Sequence, residues 1–172
     1  SEIFLRFYLI IGFVALAGLA ALGATSFDRA IRRLGGNWQR LHSLVYGIAG
    51  LGIFHFFLQS KSDVTEATLM AGFFTLLMIY RLMAKAGLPI SSPLVLAAGA
   101  VIGALGAAAI EYAWYALATG IPADRVFLAN FDVATSLRPA VWTGIAGLGV
   151  CGAAILQRIG SQAGGRLRLR RA

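Results

Sequence analysis

Thiols, acids and charge of any kind are scarce in this chain, and each scarcity removes a class of protein. A single cysteine, Cys151, stands among 172 residues, so no intrachain disulfide forms and no thiolate cluster or zinc site can be assembled. Cys151 lies inside an apolar run, where a lone thiol reads as a small core residue. Asp and Glu number seven against fifteen Lys and Arg. No paired carboxylates, glycine-rich phosphate loop or Ser/His/Asp set can be found, so chemistry by side chains alone lacks its parts. Charged residues make up 13% of the chain and hydrophobic ones 59%, with a mean hydropathy of +0.78. That is the composition of an integral membrane protein. A net charge of +8 would suit nucleic acid, but the basic residues sit between apolar runs and in the tail, as the positive-inside rule requires. Membrane lipids, not nucleic acid, are the expected partner of those charges.

Histidine is scarcer still, and its placement is informative. Both histidines, His42 and His55, fall in one apolar run over 41–58 that is long enough to cross a bilayer. Imidazole is costly to bury in hydrocarbon unless paired or ligated, so an intramembrane histidine marks a functional site by default. Thirteen residues of helix put the two rings about 20 Å apart along the axis and roughly 140° apart around it. They cannot share one small metal ion. Two separate sites, one near each membrane face, is the geometry left, and haem takes a single histidine per face. Gly47, Gly50 and Gly52 lie between them, where missing side chains would admit a flat macrocycle. A polar helix seam with two hydrogen-bonded histidines fits the spacing equally well.

Five apolar runs, 4–23, 41–58, 67–83, 94–118 and 139–156, predict an all-α polytopic transmembrane bundle of about five spans. The fourth is rich in Ala and Gly and suited to close helix packing. Connections alternate in charge. The segment 25–40 carries Arg29, Arg32, Arg33 and Arg40 against Asp28, 81–93 carries Arg81 and Lys85 with no acid, and the tail from Arg158 has five arginines and no acid. These should face the cytoplasm, placing His42 inside and His55 outside. Ser1 then lies outside without a signal-peptide n-region before it, and the chain is expected to begin partway through a longer protein that supplies upstream spans.

Within 25–35, Ser26 is placed to cap a short helix and Gly35 to end it in a left-handed turn. Phe27, Ala30, Ile31 and Leu34 share one face of that helix and the arginines the other, an interfacial pattern. Arg40 and Trp38 lie within a turn of His42, where an arginine can pair with a haem propionate. Phe54, Phe56 and Phe57 read as interfacial anchors around His55. Glu111, beside Tyr112, Trp114 and Tyr115, is expected to snorkel outward from an aromatic belt, with a proton-relay or quinol-site acid as the alternative.

The stretch 22–25, then Leu34-Gly-Gly-Asn-Trp-Gln-Arg-Leu-His-Ser-Leu-Val-Tyr46, then His55 and Lys61, resembles the second half of the MsrQ (YedZ) family over roughly 10–85. That family is the haem-binding membrane subunit of the periplasmic methionine sulfoxide reductase system, within the ferric-reductase-like transmembrane superfamily. The resemblance implies a haem-binding region over 1–86 and a two-span extension with a basic tail over 87–172. It implies a subunit of the bacterial inner membrane holding haem b, with quinone or FMN as further candidates. Electrons would pass from quinol or a cytoplasmic flavin reductase to a periplasmic molybdopterin-containing reductase, which does the catalysis. His42 and His55 carry over as haem-iron ligands, with Arg40 and Trp38 as neighbouring cofactor-binding residues. A ferric or other metal reductase of the same superfamily, and a haem-free scaffold or transporter bundle, are the competing expectations.

Overall fold

A long apolar helix, α1 (Glu2–Ala24), opens the chain, followed by α2 (Asp28–Leu34), α3 (Gly36–His42), α4 (Val45–Gln59), α5 (Thr65–Lys85), α6 (Pro93–Ala118), α7 (Ala123–Ala129) and α8 (Pro139–Leu169). The computed structural model describes residues 2–60, 63–134 and 136–169, with side chains from 6 to 161. Lys61, which carries part of the resemblance, and Arg170 and Arg171 of the tail lie outside the described residues. All regular structure in the described residues is helical. Five stretches are long and apolar enough to cross a membrane: Arg6–Ala24, Gly36–Gln59, Thr65–Lys85, Pro93–Ala118 and Pro139–Ser161. They match the five apolar runs, and the protein is a multi-pass helical membrane protein.

The histidine run is not one unbroken helix. It is interrupted at Ser43–Leu44, between the end of α3 and the start of α4. Both residues keep right-handed helical dihedrals, but Leu44 N–H donates to the Leu41 carbonyl and Tyr46 N–H to the Ser43 carbonyl, a tightened i→i+3 pattern. The Ser43 hydroxyl donates to the Arg40 carbonyl at 2.6 Å, competing with the helical ladder at that turn. Ser26, expected as a helix cap, is not one. Its hydroxyl donates back to the Leu22 carbonyl at 2.7 Å, and Phe27 holds the cap position of α2 without a side-chain bond. Gly35 does end α2, at φ 51° and ψ −129°, a backbone conformation open to glycine. Along α2, Ala30, Ile31 and Leu34 are half-buried and the arginines exposed, while Phe27, expected on the same apolar face, is 57% exposed.

Two compact units make up the chain, 1–67 and 68–172. In the first, α1 lies against α4. Ile11, Ala15 and Leu22 form its buried stripe, while Phe7, Leu9, Ile10, Phe13 and Leu16 stay exposed, as on a helix bathed in acyl chains. Glycine sets the approach of the pair. A Cβ on Gly18 would meet Ile48 Cδ1 at 2.8 Å, and one on Gly12 would meet His55 Cε1 at 2.6 Å.

In the second unit α6 is central. Its buried face runs through Leu96, Gly99, Ala100, Gly103, Ala107 and Glu111, so small residues recur every three or four positions and neighbouring backbones come close. Leu76 and Tyr80 of α5 press on Gly103 and Gly99, and Gly147 of α8 presses on Ala100. The α5 helix ends in a Schellman turn. Gly87 (φ 76°) donates to Ala84, and Leu88 donates to Met83 at 3.0 Å. Pro93 and Pro139 occupy the first positions of α6 and α8, where a missing N–H costs nothing.

Candidate functional site

The histidines are held at opposite ends of the α1–α4 pair by different devices. Near the start of α1, His55 Nδ1 lies 2.9 Å from the Tyr8 carbonyl. A carbonyl only accepts, so Nδ1 carries the proton, and in the neutral ring the lone pair sits on Nε2. This is the arrangement metal-ligating histidines use, with one nitrogen tethered to a backbone carbonyl and the other left as donor to a metal. The Tyr8 ring stacks beside the imidazole at 5.5 Å and 24°. Gly12 is required beneath it, because any side chain there would occupy the space of the ring.

Seventeen residues further along α1, about 25 Å at helical rise, the chain turns at Thr25, and this residue organises the other histidine. The Thr25 carbonyl accepts from Trp38 Nε1–H at 2.9 Å, and its hydroxyl oxygen lies 3.1 Å from His42 Nε2. That hydroxyl has one proton and two α1 carbonyls within reach, Ala21 at 2.9 Å and Leu22 at 3.1 Å. With the proton directed there, Nε2–H of His42 is the donor to Thr25, which leaves the lone pair on Nδ1. Trp38 and His42, four apart on α3, stack at 4.1 Å and 23°.

The structure thus joins Trp38, Thr25 and His42 into one group and leaves Arg40 aside with an exposed side chain. Thr25 and Tyr8 were not singled out from sequence. The signal for Thr25 was its place in the stretch shared with the family, whereas the Tyr8 hydrogen bond uses a backbone carbonyl, which any residue carries. Gly47, Gly50 and Gly52 all face open space, so nothing in the described fold fills the room above them. A haem held here would have one histidine per site. His55 offers Nε2 as it stands, while His42 offers it once the Thr25 bond is exchanged. Phe57 is buried, Phe56 half-buried and Phe54 exposed, so this aromatic group is partly core.

Glu111 does not snorkel. It is fully buried, because two partners reach it from the segment after α6. Arg138, beside the start of α8, donates to Oε1 at 2.6 Å, and Asn130, just past α7, donates to Oε2 at 2.5 Å. Asn130 Oδ1 in turn accepts from Ala140 N–H at 3.3 Å. The carboxylate therefore ties α6 to α7 and α8, and a buried acid so paired has no need to reach water.

The fold and these sites define a polytopic membrane protein with one half-buried histidine at each end of a helix pair. Over about half of its length it is similar to proteins named protein-methionine-sulfoxide reductase heme-binding subunit MsrQ. The relative from Rhodospirillum rubrum is 42% identical over 84 residues, 48% of this chain and 40% of its own length. Those from Xanthomonas euvesicatoria and Xanthomonas campestris are 42% and 43% identical, covering 49% and 47% of this chain and 39% and 37% of theirs. The resemblance to the MsrQ family is shown over that part, and the chain spans about two fifths of the length of the curated relatives it matches. No family model matches the chain, and no solved structure matches it.

Proposed function

We propose that this chain is a haem-carrying electron-transfer subunit of the bacterial inner membrane, serving a methionine sulfoxide reductase. The observation that carries the reading is His55, whose Nδ1–H is committed to the Tyr8 carbonyl so that Nε2 is left as a ligand. The relatives are named heme-binding subunits, and binding haem is a function that such a histidine can serve. Haem b bound at each site would supply a one-electron carrier. The residues of this chain orient each imidazole, exclude water with the apolar face of α1 and hold the two sites at opposite ends of the α1–α4 pair. His42 stands on the side of the basic 25–40 segment, the entry side for electrons from quinol or a flavin reductase. His55 stands on the exit side, towards a periplasmic molybdopterin-containing reductase. We assign this role to 1–86 and read 87–172 as an added two-span extension, which packs with α5 in the second compact unit.

A second reading has one observation behind it. His42 Nε2 already bonds Thr25, as in a haem-free bundle whose histidines only join helices. Absorption spectra of the full-length protein in membranes separate the two. A dithionite-reduced α-band that falls in His55→Ala and in His42→Ala supports haem ligation. Spectra and electron flow unchanged by both substitutions would leave the haem-free bundle standing.

A further inference from the structure

We propose that the second unit holds one anionic phospholipid in a cleft at the basic end of α5, α6 and α8. The cleft encloses about 760 Å³ and is lined by Tyr80, Leu96 and Ala154 on its apolar side and by Ser91, Gln157 and Arg158 on its polar side. It follows from how the three helices end. Gly147 draws α8 against Ala100 of α6, where a Cβ would come within 2.5 Å of its neighbour. One to two turns beyond that contact α8 continues with small residues, Ala153 and Ala154, and the gap to Leu96 and Tyr80 is left unfilled. The Schellman turn at Gly87 carries the α5–α6 connection round the mouth, which brings Ser91 to the rim.

Charge and polarity choose the occupant. No Asp or Glu occurs anywhere in 67–110 or 133–172, the segments that form the cleft, while Arg158 lines it. A basic side chain at a rim without acids selects an anion. An apolar wall at membrane depth requires the same molecule to bear hydrocarbon. A free phosphate would leave that wall wet, and a neutral quinone would leave Arg158 without use. A diacylglycerophosphate satisfies both halves, with its phosphodiester at Arg158, Ser91 and Gln157 and an acyl chain along Leu96 and Ala154. Basic pockets between transmembrane helices on the cytoplasmic side take lipid headgroups for this reason. The volume is that of an ordinary small-molecule site. The proposal is independent of haem, since every residue it uses lies in 68–172.

Native mass spectrometry of the full chain, released from vesicles of phosphatidylglycerol or of phosphatidylcholine, tests it. The expected result is one phosphatidylglycerol retained per chain and no matching retention of phosphatidylcholine. Arg158→Gln should lower occupancy about fivefold, the factor for one interfacial cation. Ala154→Trp should abolish retention by filling the cleft while helical circular dichroism is unchanged, and excess inorganic phosphate should not displace the lipid. Equal retention of both lipids would overturn the proposal. So would wild-type occupancy in both variants, displacement by phosphate alone, or a neutral quinone held in place of the lipid.

Discussion

Thr25 meets two residues of the His42 group, its carbonyl accepting from Trp38 and its hydroxyl oxygen lying beside the imidazole. Thr25→Val keeps the shape and removes the hydroxyl, so His42 Nε2 is released. The expected outcome is haem content equal to or above wild type, read from the α-band per mole of protein. A loss of about 1 kcal/mol in stability should accompany it, the worth of one hydrogen bond. Haem lost with the hydroxyl would mean that Thr25 orients the ligand rather than competing for it. Glu111 offers the second test at this scale. Glu111→Gln removes one partner from a pair whose carboxylate is fully buried and whose arginine is 25% exposed. Destabilisation of about 3 kcal/mol is expected from thermal unfolding in detergent, and Glu111→Gln with Arg138→Met should recover most of it, because the buried charge then leaves with its partner. A relay role predicts the reverse, with electron delivery falling in Glu111→Gln and stability unchanged.

Between elements, glycine decides which helices touch. At Gly147 a Cβ would lie 2.9 Å from the Ala100 backbone, which cannot rotate away, whereas at Gly144 the nearest atom is Ala104 Cβ at 3.5 Å, ordinary contact. Gly147→Val is therefore expected to cost about 1–3 kcal/mol by forcing α6 and α8 apart, while Gly144→Ala should be tolerated. Thermal unfolding of the two variants in the same detergent checks the contrast. Equal losses would mean that packing between α6 and α8 is set elsewhere. The tightened turn at Ser43–Leu44 belongs to this scale as well. It separates the short helix bearing His42 from the long one bearing His55.

For the whole molecule, the alternation of basic and neutral connections predicts 25–40, 81–93 and the tail on the cytoplasmic side. With Cys151→Ser as background, Asp63→Cys should label from outside and Ser161→Cys only after the membrane is opened. The reverse pattern would exchange the sides of His42 and His55 and with them the entry and exit of electrons.

The sequence by itself determined the five spans, because helix length and apolar content are local properties that a bilayer reads without regard to packing. It also implied an axial separation of about 20 Å between the two histidines, since helical rise converts spacing into distance. It did not contain the break at Ser43, which depends on one hydroxyl returning to the Arg40 carbonyl. Tertiary structure alone decided which nitrogen of each imidazole is engaged, because Tyr8 and Thr25 reach His55 and His42 across 47 and 17 residues of chain. It likewise decided the fate of Glu111. An acid in an apolar run turns outward when it is alone, and here Asn130 and Arg138, 19 and 27 residues away, meet it inside the fold. Hydrogen bonds between distant segments carry no periodicity, so their partners are chosen only when the helices have packed.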